Sequence, residues 1–155
     1  MYGWLVFIHI IGVLGFLFTH GVSTAMALRL QHERNPDRIR VVLQLSASTT
    51  GVFYVFTALL LLGGIWAGFE GHWWDQGWIG VSLGLFLANM VFMYAVASPY
   101  YRRIRQVMTI QETGGGAVDP GELDALLRSA RPKLLLWVGA LSIGFITYLM
   151  VQKPF

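Results

Sequence analysis

Two histidines, His9 and His20, lie in the first long apolar segment of this 155-residue chain. Ionisable side chains at bilayer depth are costly, so they are read first as functional candidates. No Asp, Glu, Lys or Arg falls inside any apolar segment long enough to span a membrane, which leaves these imidazoles to carry whatever intramembrane chemistry there is. A neutral imidazole ligates haem iron or another transition metal, and the thioether of Met90 or Met93 is a soft partner for it. The eleven residues from His9 to His20 take a helix through three turns plus about 20° and about 16 Å of rise. The two rings therefore share a face but cannot hold one metal ion. They mark two sites, or one site and one structural contact.

The elements that position them follow from composition. With 55% hydrophobic and 12% charged residues, the chain is far from a soluble domain, where about a quarter of residues are charged. Four apolar stretches exceed or approach the roughly twenty residues needed to cross a bilayer: Tyr2–Leu28, Val41–Ala67, Gly77–Ser98 and Leu134–Val151. Their lack of strict alternation argues against a β-barrel. The expected fold is all-α, a four-helix transmembrane bundle forming a single membrane domain over residues 1–155. The absence of cysteine excludes disulfides, thiolate metal sites and Cys-anchored haem. Arg29, Arg34, Arg38 and Arg40 lie in the segment 29–40, and Arg102, Arg103, Arg105, Arg128, Arg131 and Lys133 in 99–133. The positive-inside rule puts both segments in the cytoplasm and both termini outside, in a multi-pass protein of the inner (plasma) membrane. Topology accounts for the net charge of +3, so nucleic acid is not an expected partner. Ala25-Met26-Ala27 resembles a signal-peptidase site, but no positive n-region precedes the apolar run, and the segment is kept as a true span.

Local signals refine this frame. Asn35-Pro36-Asp37 offers an N-cap, a proline at the first helical position and an acidic first turn, starting the second helix below the membrane. The tryptophan-dense turn from Phe69 to Trp78 reads as an interfacial aromatic hairpin. Thr113-Gly114-Gly115-Gly116 reads as a linker. Asp119-Pro120-Gly121-Glu122 has the form of a capping box. It should start a short amphipathic cytoplasmic helix between spans three and four, lying on the membrane surface with Leu123, Leu126 and Leu127 on one face. Pro132 should end it.

Small and polar residues mark the faces by which membrane helices meet. On the first span His9, Gly12, Phe16, His20, Ser23 and Ala27 form such a stripe, and on the third Trp78, Ser82, Asn89 and Met93 do. On the second span the stripe is Gln44, Ser48 and Gly51, with Thr49 and Thr50 adjacent. Gly64–Gly68 and Gly80–Gly84 have the spacing of close helix crossings. By depth, His20 is expected to hydrogen-bond Gln44 or a Ser/Thr hydroxyl of the second span and act structurally. His9 has only Ser82 near its level, which favours a ligand role.

The run Trp4-Leu5-Val6-Phe7-Ile8-His9-Ile10-Ile11-Gly12 resembles the first helix of the copper-resistance protein D-like membrane superfamily. His20-Gly21, the arginine-rich segment after it and the tryptophan-rich hairpin resemble its domain-of-unknown-function 2269 branch. A more distant likeness is to the membrane protoporphyrinogen oxidase type, which binds haem b. The resemblance covers the chain to about Arg105 and implies that His9 matches the haem-ligating histidine. It also shows a departure: the oxidase type has a basic residue in the third span where this chain has Trp78-Ile79-Gly80-Val81-Ser82. The leading expectation is thus a haem b-binding, redox-associated or electron-transfer subunit. His9 would be the axial ligand, Gly12 would clear room for the macrocycle, and His20 and Met93 would be further cofactor contacts. A second reading is a non-catalytic accessory or assembly subunit of a larger membrane complex. A third is copper handling through Met90, Met93 and the histidines. All three favour binding over catalysis and expect a homo-oligomer or other membrane subunits as partners.

Overall fold

The computed structural model describes residues 1–113 and 121–154, with side chains for all of these but 111–113. The described residues form five helices: α1 (Tyr2–His32), α2 (Pro36–Glu70), α3 (Gly77–Thr113), the short α4 (Glu122–Leu127) and α5 (Arg131–Gln152). Four of the helical segments are long and apolar enough to cross a membrane. Each continues past its apolar stretch at the arginine-rich end, so the helices outrun the spans read from hydropathy. The Asn35 carboxamide oxygen accepts from the N–H groups of Asp37 (2.9 Å) and Arg38 (3.3 Å), and Pro36 opens α2 as expected. α3 runs through Pro99 without ending there. Pro132 sits in the first turn of α5 and starts that helix; it does not close the one before it. The glycine linker and the Asp119-Pro120 half of the capping box lie outside the described residues. At the described edge Gly121 caps α4 without a side-chain bond.

The helices run up and down in a ring. α1 packs closely on α2 and α3 on α5; α1 meets α5 more lightly, and α2 and α3 hardly touch. The exposed stripe of α1, with Phe7, Ile11, Leu14 and Phe18, faces outward, while Gly12, Phe16 and Ala27 are buried. On α3, Trp78, Ser82, Phe86 and Asn89 are buried, along the face that spacing selects.

The densest packing lies at the arginine-rich end. There Leu30, Ile39, Leu43, Tyr100, Ile104, Met108 and Leu127 form one core, with Val42, Tyr101, Leu123 and Leu126 packed against it. Between apolar helices in lipid there is no hydrophobic driving force, whereas helix ends in water gain from every buried methylene. α4 accordingly turns its leucines into the protein and not onto a membrane surface: Leu127 is 1% exposed. Arg34–Asp124 (3.3 Å) and Arg103–Glu122 (2.6 Å) tie it to the α1–α2 turn and to α3, and the Gln31 amide of α1 donates to the Ser129 carbonyl at 2.7 Å. Glu33, in the turn between α1 and α2, accepts from the N–H groups of Asn35 and Arg34, each at 3.1 Å. These bonds, helped by Arg38 and Arg29, hold its carboxyl below the usual carboxylate range.

At the other end Tyr2 meets Trp73 edge-on (5.5 Å), and Lys153 places its ammonium 4.3 Å over the same indole. The Trp78 N–H donates to Gln76 at 2.5 Å. Tyr2 and Lys153 thus both meet the tryptophan hairpin.

Leu127→Ala, which empties the arginine-end core, is expected to cost about 2–5 kcal/mol. Leu141→Ala, at a position 69% exposed on the outer face of α5, should stay within about 0.5 kcal/mol. Reversible unfolding in mixed micelles reads both.

Candidate functional site

The two histidines have different surroundings. His9 sits where α1 crosses α2. Its Nδ1–H donates to the Leu60 carbonyl at 2.7 Å, which leaves Nε2 as the free lone pair. Three glycines make this contact possible. A Cβ at Gly12 would lie 2.3 Å from the Leu60 nitrogen, one at Gly63 2.8 Å from the His9 nitrogen, and one at Gly64 2.7 Å from the imidazole Nδ1. Backbone therefore rests on backbone, and the ring lies across Gly64. Gly68 serves the hairpin instead, taking the Trp74 indole, and Gly80 and Gly84 have nothing within 4 Å of a Cβ position. Of the two glycine pairs singled out by spacing, only Gly64 takes part in the α1–α2 crossing.

Two expectations about His9 are corrected here. Its partner is a main-chain carbonyl of α2 and not Ser82, whose buried hydroxyl has no hydrogen bond among the described residues. The space beside Gly12, expected to admit a macrocycle, is filled by the α2 backbone at Leu60.

His20 lacks the partners expected of it. Ser48 donates to the Leu45 carbonyl (2.8 Å), and Thr49 and Thr50 both donate to the Ser46 carbonyl (3.0 and 3.2 Å). Hydroxyls in helices commonly close back on their own preceding turn in this way. Gln44, Ser48 and Gly51 face outward and not toward the bundle. His20 makes no hydrogen bond among the described residues. It instead lies parallel to the Phe16 ring (centroids 5.9 Å, interplanar angle 1°) and lines a cavity of about 140 Å³.

That cavity brings together chemically capable residues of three helices. α1 supplies Phe16 and His20, α2 supplies Phe53 and Tyr54, and α3 supplies Asn89, Met90, Met93 and Tyr94. α5 closes the back through Gly139, where a Cβ would lie 2.8 Å from the Met93 methyl and 3.0 Å from His20 Nε2. Asn89 is 8% exposed, and its carbonyl oxygen is buried without a hydrogen-bond partner among the described residues. The opening falls between α2 and α3, the pair that hardly touches, flanked by the exposed rings of Tyr54 and Tyr94. His20 and Met93, both expected as cofactor contacts, are brought together here, while His9 is held apart at the α1–α2 crossing. Asn89 was legible as a bundle-facing polar residue. Its place beside His20, the wall formed by Gly139 and the gap between α2 and α3 were not, because they depend on how far apart the helices stand.

A bundle of four membrane-length helices around such a cavity is an integral membrane protein. Over residues 4–154 the chain matches the family described as predicted integral membrane proteins, DUF2269, and it belongs to that family. No curated protein and no solved structure matches it.

Gly12→Ala is expected to destabilise the bundle by about 1–3 kcal/mol, because neither backbone at the crossing can yield without parting the helices. Gly21→Ala, with nothing within 4 Å of its Cβ position, should be neutral or stabilising by up to about 1 kcal/mol through helix propensity. Unfolding of the two variants side by side in mixed micelles separates a crossing contact from a general intolerance of added bulk.

Proposed function

We propose that this protein is a non-catalytic binding protein of the plasma membrane, and that its site is the cavity around His20 and Asn89, entered sideways from the bilayer. The arginine-rich end faces the cytoplasm and both termini lie outside, following the distribution of Arg and Lys. The observation that carries the reading is the pairing, in one cavity, of an unbonded imidazole with a buried amide oxygen that lacks a donor. Buried polar groups are nearly always hydrogen-bonded, and an exception calls for an explanation such as a bound molecule. The cavity is bordered by α2 and α3, which hardly touch, and this suits a ligand arriving from lipid.

Haem b does not fit the residues of one chain. The Leu60 carbonyl orients the His9 ring as a backbone acceptor commonly orients a metal-ligating imidazole. Yet the space beside Gly12 is filled, and a cavity of about 140 Å³ is close to the roughly 150 Å³ that holds a single benzene. A second reading rests on the same cavity: His20, Met90 and Met93 are the imidazole and thioether donors that suit cuprous ion. Stoichiometric cuprous binding that Met93→Leu abolishes would favour it over the first.

Phenol tests the leading reading without knowledge of the natural ligand. At ten times its Kd it should add about 1.4 kcal/mol to stability and raise the Tm of the purified protein by about 3–6 °C. Met90→Trp, which fills the cavity, should remove the shift. An equal shift in the filled variant would contradict the proposal, as would a Soret band in the purified protein that His9→Ala abolishes.

A further inference from the structure

We infer that the ligand of this cavity is the head of a lipid-soluble monocyclic phenol or hydroquinone, with its hydroxyl donated to Asn89 and its tail leaving between α2 and α3. The inference rests on the reading of the cavity as the functional site and adds the chemical class of what occupies it.

Size sets the first limit. The volume of about 140 Å³ suits one six-membered ring, since a cavity of roughly 150 Å³ binds benzene. Fused rings and macrocycles are too large. The walls set the second. Phe16 contacts Phe53 at 5.2 Å, His20 lies parallel to Phe16, and Met90 and Met93 supply adaptable thioethers. Offset stacking and sulfur–ring contacts both favour an aromatic guest over a flexible alkyl chain.

Polarity sets the third limit. In the orientation the carboxamide takes, the Asn89 oxygen is an acceptor with no donor among the described residues, so a guest that satisfies it brings an O–H or N–H. A neutral His20 has one ring nitrogen that donates and one that accepts, and neither is hydrogen-bonded among the described residues. A ring hydroxyl meets both residues: it donates to Asn89 and accepts from the protonated ring nitrogen of His20. A benzoquinone or an aryl ether offers acceptors only and leaves the Asn89 oxygen unmet, a loss that buried polar sites discriminate strongly. Because α2 and α3 hardly touch, a hydrocarbon tail on the ring can pass between Tyr54 and Tyr94 into the lipid without disturbing the bundle. No electron or proton transfer is required; the proposal concerns recognition alone.

The test uses the full chain in nanodiscs and three probes with one tail: decylhydroquinone kept reduced, its dimethyl ether, and decylbenzoquinone. Isothermal titration should show decylhydroquinone binding at least tenfold more tightly than either of the others. Asn89→Leu should bring the three within about threefold of one another. The comparison on the unmodified protein stands even if that variant does not fold. An ether or quinone binding as tightly as the hydroquinone would overturn the inference. So would failure of all three probes; if phenol still raises Tm, the ligand class alone is wrong, and if phenol fails too, the cavity reading falls with it.

Discussion

The bundle depends on the contact between the backbones of α1 and α2 at Gly12, Leu60, Gly63 and Gly64. Without Cβ atoms at these three glycines the two helices close to main-chain distance, and His9 lies flat across Gly64 with its Nδ1–H on the Leu60 carbonyl. In lipid, where apolar side chains gain little from leaving the solvent, such close approach and such hydrogen bonds are what hold helices together. The contact fixes the rotation of α1 about its axis. Eleven residues further along, that rotation turns His20 toward the centre of the ring and away from the hydroxyls of α2.

The same physics explains where the molecule is tight and where it is open. Its hydrophobic core lies at the arginine-rich helix ends, where Leu30, Ile39 and Ile104 are almost wholly buried together with Leu127 of α4. There water supplies the driving force. Midway along the spans the helices rely on local shape. α1 and α2 are tight because of their glycines, α3 leans on α5, and α2 stands away from α3. The cavity at Phe16, His20, Asn89 and Met93 is what that uneven spacing leaves, and its opening falls at the loosest seam. Its inner lining carries two polar groups, His20 and Asn89, that make no hydrogen bond among the described residues.

Much of this was legible in the sequence. Helix number, the Asn35 cap and the buried faces of α1 and α3 follow from apolar length, capping chemistry and the spacing of small residues. The roles of the two histidines were not legible. Depth along a helix can be counted, so Ser82 was paired with His9 and Gln44, Ser48 or Thr49 with His20. Counting cannot tell that a helix carbonyl will accept from His9, or that the hydroxyls of α2 will close on their own turn. Gly12, beside His9, was read as room for a ligand when it is room for a helix. α4 was read as lying on lipid because its leucines share one face; that pattern serves equally for packing on protein, and Arg34 and Arg103 decide the matter by reaching Asp124 and Glu122.

The most direct measurement is photolabelling of the protein in its own membranes with a hydroquinone that carries a diazirine on the first carbon of its tail, followed by peptide mapping. The account predicts adducts concentrated at Phe53–Tyr54 and Asn89–Tyr94, the two sides of the α2–α3 opening, and their loss when unlabelled decylhydroquinone is added. Adducts spread over the outward faces of all four spanning helices, or gathered near His9, and unaffected by the competitor would contradict it.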